Sequence, residues 1–130
     1  TVTDGAITLT DPATTVQIGL PYTHVIEPLP PPVTGEGSGV RKLRMVEGVF
    51  RVQDTRALRL DTGQGLRDIP LKRLGEAEIL DSPPPAISGD VKVRALGWQD
   101  DASRPLWRIE QNAPYPFTLL SVVTELKIND

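Results

Sequence analysis

A chain of 130 residues with 38% hydrophobic but only 5% aromatic content must build an aliphatic core, and one domain is the default at this length. A net charge of −3 argues against a general nucleic-acid binder, which normally shows a basic face, and the lack of cysteine excludes a disulfide framework and a thiolate metal site. No apolar run reaches membrane-spanning length and no charged-then-apolar signal segment opens the chain, so neither membrane insertion nor secretion is expected.

In chain order, the turn pair Asp4-Gly5 precedes a short alternating strand over residues 6–9, which Asp11-Pro12 ends. Residues 15–19 are predicted as a second strand with Val16 and Ile18 on one face, and residues 22–27 as a third. Pro28-Leu29-Pro30-Pro31-Pro32 is extended and residues 34–39 are glycine-rich, so 28–39 is predicted to be a flexible loop or linker. Residues 42–53 form a long predicted strand with Val46, Phe50 and Val52 on one face. Leu43 and Met45 fall on the opposite parity, so a bulge is expected near Glu47-Gly48. Asp54-Thr55-Arg56 reads as the turn of a hairpin whose return strand is 57–61, and residues 62–65 as the next turn. Residues 71–80 fit a short helix or a pair of short strands, before Asp81-Ser82-Pro83-Pro84-Pro85 breaks the chain. Residues 91–96 alternate as a strand, 97–104 form its loop, and Pro105 opens a strand carrying Trp107.

The most hydrophobic stretch runs from Trp107 to Ile128. Trp107 and Ile109 point one way and Arg108 and Glu110 the other. Pro114 and Pro116 fix a non-helical corner after them. The almost wholly apolar run 117–123 is expected to be a central strand covered on both faces, with Leu120 and Val122 on one side and Leu119 and Val123 on the other. With thirteen prolines, eleven glycines and many β-branched residues, the chain is predicted to be all-β and mainly antiparallel, a sandwich-like or barrel-like single domain.

Chemical motifs are sparse. Residues 34–42 have the glycine content of a phosphate loop, but Val40 stands where glycine is required and no helix is predicted to follow. His24, the one histidine, lies in a predicted strand, where a structural role is expected. Asp100-Asp101 lacks the ligand spacing of a calcium loop and reads as a solvated turn. Arg51, Arg56 and Arg59 with Asp54 and Asp61 form the charged face of the central hairpin. No catalytic, metal or cofactor set emerges, and the chain is not expected to be an enzyme.

Five short motifs occur in a telling order: Gly19-Leu20-Pro21-Tyr22, then Arg41-Lys42-Leu43-Arg44, Asp54-Thr55-Arg56-Ala57-Leu58, Gly97-Trp98, and Pro114-Tyr115-Pro116-Phe117-Thr118-Leu119-Leu120-Ser121-Val122-Val123. Over about residues 15–126 the chain resembles the C-terminal part of the nozzle (tail tubular protein B-like) proteins of short-tailed bacteriophages. It departs from their pattern where Ile18 replaces Val, Ala57 replaces Gly and Tyr115 replaces Leu. The resemblance implies a virion tail protein made in the bacterial host cytoplasm. It implies a ring, a hexamer in the full-length parent, that contacts other tail proteins and lets DNA pass through its lumen, with no active site. A start at Thr1 rather than Met agrees with a fragment of a larger chain. Residues 41–44, Glu76, Glu78 and Asp81 are candidate contact patches. The competing reading is a carbohydrate-binding β-sandwich that stacks sugars on Trp98, Trp107 and Tyr115. It requires those rings to be coplanar and solvent-facing.

Overall fold

The computed structural model describes residues 2–20, 22–32, 42–71, 85–94, 97–99 and 103–129. Among them are seven strands and no helix: β1 (His24–Ile26), β2 (Lys42–Thr55), β3 (Arg59–Asp61), β4 (Leu66–Asp68), β5 (Ile87–Arg94), β6 (Arg108–Gln111) and β7 (Thr118–Asn129). They form two antiparallel sheets, ordered β1-β6-β3-β4 and β5-β2-β7, so the expected all-β antiparallel class is the one adopted. Pro21, most of the 28–39 loop, Arg41, residues 72–80 with Glu76 and Glu78, Asp81, Ala95, Leu96, Asp100 and Asp101 lie outside the described residues.

The centre of the three-stranded sheet is β2, paired with β5 on one side and β7 on the other. Leu43, Met45, Gly48, Phe50, Val52 and Thr55 are its buried positions. The phase slips after Met45, which faces Leu126 while Glu47 faces Glu125, so Val46 is the extra residue of a bulge. The expected bulge is therefore present, just before the predicted Glu47-Gly48. Val46 consequently leaves the face it was predicted to share with Phe50. Gly48 is required here: a Cβ on it would lie 2.9 Å from Cε2 of Phe50, whose ring covers that backbone.

One core cluster takes Met45, Phe50 and Val93 from this sheet, and Leu58, Leu60, Leu106, Trp107 and Ile109 from the four-stranded sheet and its approaches. Phe50 and Trp107 meet edge to face at 5.3 Å, an arrangement favoured by the ring quadrupoles. Trp107 and Ile109 are buried and Arg108 is exposed, as their alternation predicts.

The predicted hairpin over 42–61 does not form. β2 pairs with β5 and β7, whereas β3 pairs with β4 and β6. Asp54-Thr55-Arg56 is instead a corner that carries the chain from one sheet to the other, with Asp54 at φ +46° and its N–H donated to Oγ of Ser88 at 2.9 Å. The true neighbouring hairpin is β3–β4. Oδ1 of Asp61 accepts the N–H groups of Gly63 at 2.7 Å and Gly65 at 3.0 Å, and both glycines have positive φ.

The proline corner joins β6 of one sheet to β7 of the other, as two strands around a bend. β7 is not the central strand, however, and the others do not assemble on it: it is an edge strand. Arg51 faces Ser121 and Val52 faces Leu119, so Leu120 is an extra residue in β7. That bulge inverts the expected pairing of faces. Leu119 and Val122 pack on the core, while Leu120 is 56% and Val123 67% exposed.

The strands predicted at 6–9 and 15–19 are also absent. An isolated bridge between Thr3 and Ala6 closes the Asp4-Gly5 turn, and residues 7–20 run as an arm without ladder partners among the described residues. The third predicted strand survives as β1.

Candidate functional site

The motifs that were separate in sequence are brought together in two places. The first is the proline corner. Nε2 of Gln17 donates to the carbonyl of Pro114 at 2.7 Å. A Cβ on Gly19 would lie 2.9 Å from Cβ of Pro114, so only glycine lets the arm approach this closely. The ring of His24 packs 5.9 Å from that of Tyr22 and 5.3 Å from that of Phe117. Thr55 reaches the same corner through its hydroxyl, which accepts the N–H of Thr118 at 3.2 Å. Thus Gly19, Tyr22, Thr55, Pro114 and Phe117 meet around one bend. Leu20 and Pro116 are exposed beside it, and Arg56 lies apart, half-buried, in a small hollow with Leu58 and Ile69.

The second place joins the start of β2 to Gly97-Trp98. Leu43 and Gln99 exchange both backbone hydrogen bonds, at 3.2 and 2.7 Å. Next to this bridge, Glu27, Asp61, Trp98, Gln99, Trp107 and Arg108 line a cleft of about 500 Å³. Arg108 is held between carboxylates, with Nη2 2.8 Å from Glu110 and Nε 3.6 Å from Glu27. The cleft residues come from four separate places in the chain, and nothing in the local sequence joins them. The proposed stacking set does not assemble: Trp98 is 41% exposed, but Trp107 is only 7% exposed and belongs to the core.

The charged face predicted for the central hairpin is divided with the hairpin itself. Arg51 makes a two-bond pair with Asp90, at 2.7 and 3.0 Å. Those hydrogen bonds hold the Asp90 carboxyl below the ordinary carboxylate range and raise the Arg51 guanidinium. Arg59 turns instead to Asp68 at 3.2 Å. Glu47 lies 3.3 Å from Lys92 and 3.7 Å from Arg94, so the outer face of the β5-β2 pair is laced by cross-strand ions.

Other polar side chains stand out by the reverse feature. His24 and Gln111 face each other across β1–β6, and Nε2 of His24 and both amide atoms of Gln111, like Nε of Arg44 and Oε1 of Gln99, are buried with no hydrogen-bond partner among the described residues. Among the described residues no group of His, Asp or Glu is arranged to hold a metal ion. No protein-family model and no curated protein matches the chain.

Proposed function

We propose that the chain is a structural subunit of a bacteriophage tail, part of a nozzle-type ring that takes part in virion assembly and forms a section of the DNA-ejection conduit. The observation that carries this reading is the arm. Ile7, Leu9, Val16 and Ile18 lie exposed along it and line a shallow apolar hollow, with Leu20 exposed just beyond. A row of apolar side chains outside any sheet fits a surface that a neighbour covers. A ring of identical subunits requires two different patches on each copy, one given and one received, and the arm serves as one of them.

Two further features support the reading. Among the residues that carry the resemblance, Gly19, Tyr22, Thr55, Pro114 and Phe117 hold the corner by packing and hydrogen bonds and Leu43 holds the sheet junction, which fits a pattern concerned with shape. A net charge of −3 gives passing DNA no general attraction that would retard it.

Electron microscopy of the full-length parent tests this. Rings with a central channel, located at the distal end of the tail, are the expected result. A parent that stays monomeric and is absent from virions overturns the proposal.

A further inference from the structure

We infer that β7 is a self-pairing edge: two copies of the chain join their β7 strands antiparallel, in the register that sets Leu126 of one opposite Leu126 of the other. The inference does not rest on the tail reading, because a two-fold contact closes a pair while a ring needs two unlike patches.

The first ground is the edge itself. β7 is 12 residues long, contains no proline and, among the described residues, pairs with nothing on the side away from β2. A long unpaired edge is a template for another strand. The bulge at Leu120 ends the regular part of that edge, so pairing is confined to the residues after it.

The second ground is incomplete burial. Leu126 faces Met45 and Ile128 faces Leu43 across the β2–β7 ladder, which places all four on the core side of the sheet. Met45 and Leu43 are fully covered, yet Leu126 is 36% and Ile128 44% exposed. A second β7 against the edge brings another Leu126 beside Leu126 and Thr124 of the second copy beside Ile128.

The third ground is charge, and it selects the register. Glu125 and Lys127 flank Leu126 and lie on the opposite face, both exposed. With the two-fold axis at Leu126, Glu125 of each copy faces Lys127 of the other, giving two complementary pairs. An axis at Glu125 or Lys127 sets like charges together. An axis at Val123 or Thr124 sets Glu125 and Lys127 opposite uncharged residues, and each also draws the Leu120 bulge into the ladder, opposite Leu126 or Ile128. The favoured register joins two three-stranded sheets into one continuous sheet.

The chain has no cysteine, so Leu126→Cys supplies a single thiol. Light scattering of the unmodified chain should show mass rising from one to two copies with concentration, and mild oxidation of L126C should give a disulfide-linked dimer. Glu125→Lys and Lys127→Glu alone should each weaken the dimer about tenfold, and the double exchange should restore it, since its pairs are again complementary. These side chains are exposed, and an unchanged circular dichroism spectrum confirms that each variant folds. A chain that is monomeric at all concentrations overturns the inference. So does a dimer that L126C fails to cross-link, that the double exchange fails to restore, or that deletion of residues 2–12 abolishes while E125K leaves it intact.

Discussion

The N–H of Thr118 donates to the hydroxyl of Thr55 at 3.2 Å, and that hydroxyl donates in turn to the carbonyl of Gln53 at 3.0 Å. The last residue of β2 is thereby tied to the first of β7, at a threonine with no exposed surface. Thr55→Val keeps the shape and removes both bonds, so it should cost about 1–3 kcal/mol in a urea titration. Thr55→Ser, which keeps the hydroxyl, should cost clearly less.

Truncations should separate the two kinds of apolar residue sharply. Ile109 is fully buried between the sheets, and Ile109→Ala is expected to cost about 2–5 kcal/mol. Leu120 stands on the solvent side of its bulge, so Leu120→Ala should stay within about 0.5 kcal/mol of the parent. Denaturation of the two variants under one set of conditions checks the contrast. Equal losses would contradict the placement of the bulge.

The Arg51–Asp90 pair should leave a mark on the acid limb of stability. Its hydrogen bonds make the Asp90 carboxyl more acidic in the folded chain than in the unfolded one. Such a group stabilises at neutral pH, loses that contribution as pH falls through the carboxylate range, and contributes nothing below the folded pKa. Asp90→Asn should therefore flatten the fall in stability on acidification. Both side chains are exposed, so the difference should shrink in high salt. Thermal melts across acid pH at two ionic strengths measure it.

Gly19 tests how firmly the arm is held. A methyl group there meets Cβ of Pro114 at 2.9 Å, and a proline ring on a fixed corner has little room to give. Gly19→Ala should lift the arm and speed its cleavage by a protease several-fold, while the midpoint of global unfolding changes little. Unchanged cleavage would show that the corner yields instead.

The parts of this fold that are legible in the sequence are those set by short-range alternation. Trp107-Arg108-Ile109 reads correctly because a strand buried on one face writes its burial into every second residue. The parity change between Met45 and Phe50 announces the β2 bulge but not that Val46 is its extra residue, and at the second bulge the rule fails outright, because Leu120 does not differ in sequence from a residue that stays in phase. Alternation also says nothing about partners. Residues 6–9 and 15–19 alternate well but pair with no strand among the described residues, while β4, Leu66-Arg67-Asp68, carries almost no apolar signal and is recruited by the Asp61 turn. Asp54-Thr55-Arg56 is a turn in either reading, and only the long-range pairing of β2 makes it a change of sheet. The cleft beside Trp98 was invisible for a related reason, since Glu27, Asp61 and Arg108 become neighbours only after β1, β3 and β6 align.

The strand order has a consequence for how the chain acquires its structure. Among the described residues β3 and β4 are the only consecutive strands that pair; β2, by contrast, must find β5 and β7 far along the chain. Each such pairing closes a long loop before it returns any stabilisation, so folding should be slow, on the order of milliseconds to seconds. During synthesis β7 is the last of these strands to emerge. Until it does, β2 has one bare edge, with Met45, Phe50 and Val52 incompletely covered. A nascent chain halted before β7 should therefore be the species most prone to aggregate, and the one on which a chaperone acts.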